Sequence, residues 1–356
     1  MKILCLIDSL GSGGAERQMA NLSSLLTMEG HEVHLVVFSH GYDFYYEMVR
    51  NNGVHLQENV KGRNRFRRAF EIVKLVRLLK PDAVIAYKDG VTMAACIARI
   101  LTKFKLIVSE RNTTQSLSQN ERIKFLLYRF ADFIVPNSYS QNNFIRNHYP
   151  KLADHCIVIT NVLNTEEFKT VDAKKDNNPP IIVTTARVSP QKNTLTYLKA
   201  ISILKSRNVK AHFVWYGNQT DEYFNQVQDT VRKSDIEEMI EFLPPVKNVV
   251  EVYHSADVFC LPSIFEGFPN VVCEAMSCGL PIVCGNVCDN PYIVEDGING
   301  FLFDSNNAED ITNKIERILD LGTDQLHIIG ERNTQKISEI CSPKIFIDKY
   351  LELITK

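Results

Sequence analysis

Short apolar runs rich in β-branched residues alternate with amphipathic stretches along most of the chain, a pattern typical of parallel strands joined by helices. The alternation occurs in two blocks, and a polar stretch at residues 171–180 separates them. A chain of 356 residues has room for two domains of about 100–200 residues each. We therefore expect two doubly wound α/β domains.

The first block contains predicted strands at residues 2–8, 32–38, 54–57, 83–87, 105–109, 133–136 and 156–160. Its predicted helices are residues 14–28, 67–79, 92–101, 120–130 and 140–148. In the second block we predict strands at 181–186, 211–216, 240–243, 258–261 and 281–283, with helices at 194–207, 223–233 and 271–278. The remaining tail is predicted to be helical, and the pattern leaves open which domain it packs on.

Composition and charge narrow the function classes. The 40 basic and 42 acidic residues give a net charge of −2, which disfavours nucleic acid as a partner. The N-terminal apolar run carries Lys2 and Asp8, which indicates a strand rather than a secretory signal. The cluster of Cys273, Cys278, Cys284 and Cys288 lacks the paired spacing of a zinc site. We therefore expect a cytoplasmic protein with reduced cysteines and without a bound metal.

A glycine-rich turn follows the first predicted strand, where residues 11–17 read GSGGAER. Glycines at a strand-to-helix turn let backbone amides approach a ligand closely. A dinucleotide fingerprint would require a third glycine where Glu16 stands, so the pattern disfavours nicotinamide binding. A tight turn that merely needs glycine is the alternative interpretation.

The second block opens on a cationic turn. Arg187 follows the predicted strand at 181–186, and Lys192 follows a Ser189-Pro190 pair that suits the N-cap and first position of a helix. A helix N-terminus together with an arginine and a lysine attracts a diphosphate. The alternative is that both cations are solvated surface charges.

The most informative segment is residues 262–276, PSIFEGFPNVVCEAM, which follows the predicted strand at 258–261. Seven residues separate Glu266 from Glu274. With Asn270 as the predicted N-cap, Glu266 lies in the loop and Glu274 near the start of the helix. Such carboxylates can accept hydrogen bonds from ribose and sugar hydroxyls. A favourable interaction with the helix dipole would explain Glu274 but not residues 266–269.

These motifs together resemble the retaining glycosyltransferases of family 4, which have the GT-B fold of two Rossmann-like domains facing a central cleft. The resemblance covers nearly the whole chain and rests on four features: EGFPN with Glu266 and Glu274, Arg187 with Lys192, GGAE at 13–16, and Gly297 with Asn299-Gly300-Phe301. It implies that residues 1–170 bind the acceptor and residues 178–341 bind the nucleotide-sugar donor. It also implies that a C-terminal helix, about 342–356, crosses back onto the first domain.

The resemblance assigns roles to individual residues. Arg187 and Lys192 are expected to hold the donor diphosphate, Glu274 the ribose, and Glu266 the sugar, without a metal ion. The expected donor-binding residues are Gly13, Gly14, Arg187, Lys192, Glu266, Gly267, Phe268, Pro269, Asn270 and Glu274.

The chain departs from the family pattern in three segments. Many relatives place a histidine after a strand of the first domain, where this chain has Ser109-Glu110-Arg111-Asn112. We expect Glu110 to orient the acceptor hydroxyl, the alternative being a surface position or an ion pair with Arg111. The segment 160–164 and the segment 288–291, which replaces a diglycine, are expected to change hinge and donor-sugar contacts.

The expected catalytic set is therefore Arg187, Lys192, Glu266 and Glu110. We expect a retaining, metal-independent transfer of a sugar from a nucleotide-diphosphate sugar, most simply a UDP-sugar, to a hydroxyl of a glycan or lipid-linked saccharide in surface polysaccharide synthesis. The alternatives are a nucleotide-sugar epimerase or a phosphorylase on the same fold, or a non-catalytic cytoplasmic nucleotide-sugar-binding protein. A phosphorylase would be expected to have a longer chain with a lysine for pyridoxal phosphate.

A basic segment precedes the predicted helix at 67–79. Its cations suit an anionic membrane surface, where each contributes about 1 kcal/mol of attraction. A solvated helix face is the alternative interpretation. The predicted membrane or acceptor face consists of Arg63, Arg65, Arg67 and Arg68, which would place the protein peripherally on the inner face of a membrane.

Overall fold

The computed structural model describes residues 1–39, 41, 44–57, 60, 64–170, 177–219 and 221–356. They form two compact units, each with its own parallel six-stranded sheet. Unit 1 comprises Met1–Val162 and Pro343–Lys356, and unit 2 comprises Leu163–Ser342.

Unit 1 has the strand order β3-β2-β1-β4-β5-β6. Its strands are β1 (Lys2–Ile7), β2 (Glu32–Val37), β3 (His55–Gln57), β4 (Ala83–Tyr87), β5 (Leu106–Glu110) and β6 (Phe133–Pro136). Its first six helices are α1 (Gly14–Met28), α2 (Tyr46–Asn51), α3 (Arg65–Leu79), α4 (Asp89–Leu101), α5 (Gln119–Tyr128) and α6 (Tyr139–His148), followed by a 3-10 turn at Pro150–His155.

Unit 2 repeats this topology with the order β12-β11-β10-β7-β8-β9. Its strands are β7 (Ile181–Thr185), β8 (His212–Tyr216), β9 (Ile240–Leu243), β10 (Val258–Leu261), β11 (Ile282–Gly285) and β12 (Gly300–Phe303). Its helices are α7 (Thr194–Ser206), α8 (Asp221–Lys233), α9 (Val249–Ser255), α10 (Asn270–Ser277), α11 (Asn290–Ile293), α12 (Ala308–Leu319) and α13 (Thr323–Ile340). The last helix of the chain, α14 (Pro343–Thr355), belongs to unit 1.

The central strands β1, β4, β7 and β10 are mainly apolar because both faces of each sheet are buried there. In β1, Leu4 and Leu6 pack into one core with residues of α3 and α4, whereas Ile3, Cys5 and Ile7 pack into the opposite core with residues of α1 and α14. This alternation follows from the two-residue period of a strand. In these central strands the polar side chains lie at the strand ends, as Lys2, Thr184 and Thr185 do.

Each sheet has a point where the strand order reverses. In unit 1 the chain builds β1, β2 and β3 outward in one direction and then returns to place β4 on the other side of β1. In unit 2 the same reversal places β10 beside β7. Ligands of open α/β sheets bind outside the carboxyl ends of the two strands at such a switch point.

Two strand predictions differ from the structure. Residues 156–160 are not a regular strand. They run beside β6, where the Ile157 and Ile159 amides donate to the carbonyl oxygens of Ile134 and Pro136 at 2.9 and 3.2 Å, but the pairing amounts to one isolated bridge between Cys156 and Ile134.

Conversely, β12 was not predicted, although Gly300 pairs with Ile282 of β11. A Cβ at Gly300 would lie 2.6 Å from the Ile282 carbonyl oxygen, so the close packing of β12 against β11 requires glycine at this position. Glycine is uncommon in strands, which is why the sequence pattern did not indicate a strand here.

Unit 2 begins earlier than the boundary placed at residue 170. The Leu163 amide donates to the Cys341 carbonyl oxygen at 2.9 Å, and the Phe168 ring lies 6.4 Å from the Tyr253 ring, so these residues pack with the second sheet. Residues 171–176 of the predicted linker lie outside the described residues.

Helix α14 packs on unit 1, as the resemblance implied. Phe346 and Tyr350 are buried in its core, and the Tyr350 hydroxyl lies 2.8 Å from that of Tyr87. Arg111, which follows β5, donates to the Tyr350 hydroxyl at 2.8 Å and to the Asn161 side chain at 2.8 Å. These polar contacts fix the end of the chain to the first sheet.

The close approach of the loops after β7 and β8 depends on Gly217, since a Cβ there would lie 1.8 Å from the Ala186 carbonyl oxygen. We expect Gly217→Ala to lower the free energy of unfolding by about 3 kcal/mol, the upper end for overpacking. Gly322→Ala, where a Cβ would meet no atom within 4 Å, is the control and should change it by less than about 0.5 kcal/mol. Urea unfolding measures both, and equal effects would contradict the packing argument.

Candidate functional site

The switch point of unit 2 brings together two of the predicted site residues. The Lys192 ammonium lies 2.5 Å from Oε1 of Glu266, and the side chains are only 13% and 10% exposed. The loops that carry them are also joined through Gln191, whose carbonyl oxygen accepts from the Ile264 amide at 3.0 Å and whose side chain donates to the Phe265 carbonyl oxygen at 3.1 Å. The pair is therefore a fixed part of the carboxyl edge.

Asn193 holds three loops of this edge in place. Its backbone is left-handed, with φ of 58°, and its buried side-chain amide donates to the carbonyl oxygens of Pro262 at 3.1 Å and Ser305 at 2.6 Å. These partners follow β10 and β12. The residue after Lys192 thus fixes the position of the cationic turn.

The cationic turn differs from its prediction in one respect. Pro190–Lys192 is a short 3-10 turn without a side-chain cap from Ser189, and α7 begins only at Thr194. Ser189 and Pro190 therefore occupy the predicted N-cap and first position, but of a 3-10 turn and not of α7. Arg187 is exposed, and within the described part of the chain its guanidinium makes no hydrogen bond or ion pair.

Glu274 lies in α10 and is 4% exposed. It accepts a hydrogen bond from the Tyr253 hydroxyl at 3.2 Å, and that hydroxyl also lies 2.9 Å from the Thr185 hydroxyl. Burial and the neighbouring Glu274 carboxylate raise the pKa of Tyr253 well above its usual range, which keeps the hydroxyl protonated. Glu266 and Glu274 thus have separate partners.

The residues between Glu266 and Glu274 mainly pack within unit 2 or form the start of α10. Phe268 is buried in the core of unit 2, and Gly267 is half-buried. Helix α10 starts at Asn270 with Pro269 in the N-cap position, so the prediction of Asn270 as N-cap is wrong. The Glu266 amide lies 3.3 Å from Sγ of Cys288, within the segment that replaces the diglycine of the family.

The switch point of unit 1 holds a second group of polar residues. The Lys88 ammonium forms an ion pair with Oε1 of Glu16, which also accepts from the Ser9 hydroxyl at 3.3 Å. The exposed residues Gly13 and Gly14 lead into α1 above this pair. Lys88 was not singled out from the sequence, although a charged residue directly after a buried strand is a signal that could have found it.

Glu110 is buried inside unit 1 and does not have the accessible position that its expected role requires. It is 2% exposed, and its carboxylate accepts from the Lys124 ammonium at 2.8 Å, the Gln141 amide at 3.3 Å and the Tyr128 hydroxyl. The predicted surface position and ion pair with Arg111 are therefore wrong. Burial raises the pKa of Glu110 above its usual range despite the Lys124 charge. With both carboxylate oxygens occupied inside the fold, Glu110 is not placed to orient an acceptor hydroxyl.

The described arginines of the predicted membrane or acceptor face do not share one exposed surface. Arg63 lies outside the described residues. Arg68 points to the sheet edge and pairs with Asp8 at 2.5 Å, and Arg65 approaches the sulfur of Met93 at 3.9 Å. Only Arg67 among the described members is exposed. The exposed side of α3 instead presents large apolar groups at Phe66, Phe70 and Leu78.

In the described ranges, no three or more His, Cys, Asp or Glu side chains are grouped so that they could hold a metal ion. Within the same ranges, no helix combines the length and apolar character needed to cross a bilayer.

Models of known protein families match the sequences of both units. Residues 12–167 match the model described as Glycosyltransferase Family 4, and residues 165–336 match the model described as Glycosyl transferases group 1. The chain therefore belongs to the family 4 glycosyltransferases and is a glycosyltransferase enzyme. This confirms the resemblance inferred from the motifs and sets aside the epimerase, phosphorylase and non-catalytic alternatives.

Solved structures show which fold the chain has. HepE of Anabaena, determined in complex with UDP, superimposes with a TM-score of 0.87 over 100% of both chains at 19% identity. Sucrose-phosphate synthase of Thermosynechococcus elongatus gives a TM-score of 0.80 at 15% identity, covering 99% of this chain and 98% of that one. The predicted GT-B fold is thus confirmed.

Two curated relatives are similar over most of their length. The chain is 25% identical to the GalNAc-α-(1→4)-GalNAc-α-(1→3)-diNAcBac-PP-undecaprenol α-1,4-N-acetyl-D-galactosaminyltransferase of Campylobacter jejuni, covering 90% of this chain and 89% of the relative. It is 24% identical to the amylovoran biosynthesis glycosyltransferase AmsD of Erwinia amylovora, covering 99% of each. Such relatives act in polysaccharide and lipid-linked glycan synthesis.

The buried position of Glu110 generates a prediction about stability. Glu110→Ala leaves the Lys124 ammonium, whose side chain is 3% exposed, with Asp89 at 3.2 Å as its remaining carboxylate. We expect a loss of about 3 kcal/mol or more in the free energy of unfolding, since removing one partner of a buried pair is strongly destabilising. Glu29→Ala, at an exposed position, should change it by less than about 0.5 kcal/mol. Wild-type stability of Glu110→Ala in urea unfolding would show that the buried pair is unimportant.

Proposed function

We propose that this glycosyltransferase moves a sugar from a UDP-sugar to a hydroxyl of a lipid-linked saccharide, with retention at the anomeric carbon and without a metal ion, in surface polysaccharide synthesis. The observation that carries the proposal is the switch point of unit 2, where Arg187 and the pair Lys192–Glu266 follow β7 and β10. The undecaprenyl diphosphate in the name of the Campylobacter jejuni relative and the UDP bound to HepE support the choice of acceptor and donor.

The charges of this edge suit a diphosphate. Glu266 compensates Lys192, whereas the exposed Arg187 guanidinium is available for a bidentate contact with phosphate oxygens. Glu274 and the Glu266 backbone complete the proposed donor site, with the ribose at Glu274 and the sugar beside Glu266. The amides of Gly267 and Phe268 are assigned to the sugar as well, and Gly13 and Gly14 remain predicted donor contacts in unit 1.

In the proposed reaction, the bond from the anomeric carbon to the diphosphate oxygen breaks while the acceptor oxygen bonds to the same face of that carbon. The acceptor proton passes to an oxygen of the departing diphosphate, so no protein carboxylate is required as base. Negative charge grows on the diphosphate during this step. Arg187 and Lys192 therefore stabilise the transition state more than the bound donor.

Arg187→Ala is the sharpest test of the donor site, because Arg187 makes no internal contact among the described residues whose loss would unfold the chain. We expect turnover at saturating UDP-sugar to fall by about 100- to 1000-fold, the usual effect of removing one such contact. Assays would combine UDP-glucose, UDP-galactose and their N-acetyl forms with prenyl-diphosphate-linked saccharides. Lys199→Ala, an exposed lysine on α7, should retain wild-type turnover.

The same assays test the remaining parts of the proposal. Retention predicts an α-linked product from these donors, read from the anomeric proton by NMR, and metal independence predicts an unchanged rate in EDTA. Equal turnover of Arg187→Ala and wild type would overturn the assigned role. A β-linked product would overturn retention, and loss of activity in EDTA would overturn metal independence.

We further propose that unit 1 attaches to an anionic membrane through α3. Phe66 and Phe70 are 69% and 68% exposed and one helical turn apart, with the exposed cation Arg67 between them. The neighbouring helix α4 exposes Ile100 and Leu101. Large apolar groups mixed with cations suit the interface of anionic lipid.

The double change Phe66→Ser/Phe70→Ser should lower the partition onto phosphatidylglycerol-containing vesicles by at least about tenfold, because two aromatic side chains lose their burial in lipid. Co-sedimentation measures the partition. Met28→Ser, which changes a 65% exposed residue at the end of α1, is the control. Unchanged binding of the double variant would contradict the membrane role of α3.

A further inference from the structure

Four charged residues meet at the carboxyl edge of the sheet in unit 1, and the proposed function does not yet use them. Asp8 follows β1, Lys88 follows β4, Glu16 lies in the first turn of α1, and Arg68 lies in the first turn of α3. We call these four residues the unit 1 charge cluster. They form two ion pairs, Lys88 with Glu16 and Arg68 with Asp8. The cluster therefore lies at the switch point, where an open sheet binds its ligand.

Glu16 has one carboxylate oxygen without a partner. The residue is 6% exposed, and Oε1 accepts from both Lys88 and Ser9, whereas Oε2 accepts from no donor among the described residues. Oε2 lies under Gly13, where a Cβ would be only 2.3 Å from it. Oε2 is not one of the buried side-chain atoms that lack a partner, so it is accessible from solvent and can accept a hydrogen bond from a ligand. A donor from a ligand would satisfy it.

Lys88 occupies a backbone conformation that disfavours any side chain. Its φ of 72° and ψ of 139° lie close to a region that is essentially restricted to glycine. Its side chain remains 35% exposed, and an ammonium that gives one hydrogen to Glu16 keeps others for a ligand. Lysine is thus held at a position where glycine would be more favourable for the backbone.

The charge balance indicates the chemistry of the ligand. Both cations of the cluster are paired with carboxylates, so neither offers an uncompensated charge to a phosphate, as Arg187 does in unit 2, and the free oxygen of Glu16 would repel one. A saccharide hydroxyl is neutral and can both donate and accept. A carboxylate that lacks a donor beside an ammonium with spare hydrogens is complementary to two neighbouring hydroxyls.

We propose that Glu16 and Lys88 bind adjacent hydroxyl groups of the acceptor saccharide. Oε2 of Glu16 accepts from one hydroxyl, and the Lys88 ammonium donates to the other. Arg68 and Asp8 hold the edges of the cluster in place. This inference rests on the proposed transfer to a saccharide and assigns its acceptor to this edge of unit 1.

The test measures acceptor and UDP binding separately. With whichever prenyl-diphosphate saccharide of the assay panel the wild type converts, Lys88→Met and Glu16→Gln should each raise the acceptor KM by about 10- to 100-fold, as expected for hydrogen bonds to charged groups. Lys88→Arg should recover part of the loss. The Kd for UDP, measured by calorimetry, should stay at the wild-type value, because the main UDP contacts are assigned to unit 2.

Lys80→Met is a matched control, since Lys80 also has a left-handed backbone, with φ of 48°, but is exposed at the end of α3. It should leave the acceptor KM unchanged. The double variant Glu16→Gln/Lys88→Met removes both charges together and keeps the test valid if a single change misfolds. An unchanged acceptor KM in a folded single or double variant would overturn the inference.

Two further outcomes distinguish a failure of the acceptor assignment from a failure of the proposed transfer. If Lys88→Met weakens binding of a prenyl diphosphate that carries no sugar as much as that of the saccharide, the cluster binds the diphosphate and the saccharide assignment is wrong. If the wild type converts no member of the panel, the proposed function itself fails, and the acceptor assignment fails with it.

Discussion

The ion pair between Lys192 and Glu266 is the interaction on which the donor edge of unit 2 depends. It joins the loop after β7 to the loop after β10 at the one place where the strand order reverses. Asn193 and Gln191 add hydrogen bonds from the same turn to the backbone after β10 and β12. Because both faces of a parallel sheet are buried, this edge is where polar chemistry can be placed without disturbing the core.

Unit 1 uses the same topology with a different set of contacts. Its switch point carries two ion pairs, and Arg68 connects them to α3. The Arg68 guanidinium also lies beside α4, where a Cβ on Gly90 would be 3.3 Å from it. Thus α3 contributes one residue to the sheet edge and exposes Phe66 and Phe70 to solvent. Under the two proposals, one helix contributes both to the membrane contact and to the saccharide site.

The sequence predicted most strands well because a strand buried on both faces is mainly apolar. Eleven of the twelve strands were placed within two residues of their ends. It failed where partners distant in sequence decide the outcome. Glu110 looked available after its strand, but Lys124, Tyr128 and Gln141 surround it in the fold. Lys88 was missed for the same reason, since its partner Glu16 is 72 residues away.

The two edges each carry two cations and two carboxylates but differ in how the cations are paired, and this difference argues for a division of labour. In unit 2, Lys192 is paired with Glu266, while Arg187 makes no ion pair with the described residues and is available to a diphosphate. In unit 1, every cation of the cluster has a carboxylate partner, and the unsatisfied atom is an acceptor oxygen. We therefore propose that the diphosphate of the donor binds at unit 2, where one cation is uncompensated, and that the hydroxyl groups of the acceptor saccharide bind at unit 1 through hydrogen bonds. Both proposed substrates carry a sugar and a diphosphate, so under this assignment the two edges select different parts of their substrates: unit 2 the diphosphate of the donor, and unit 1 the sugar of the acceptor.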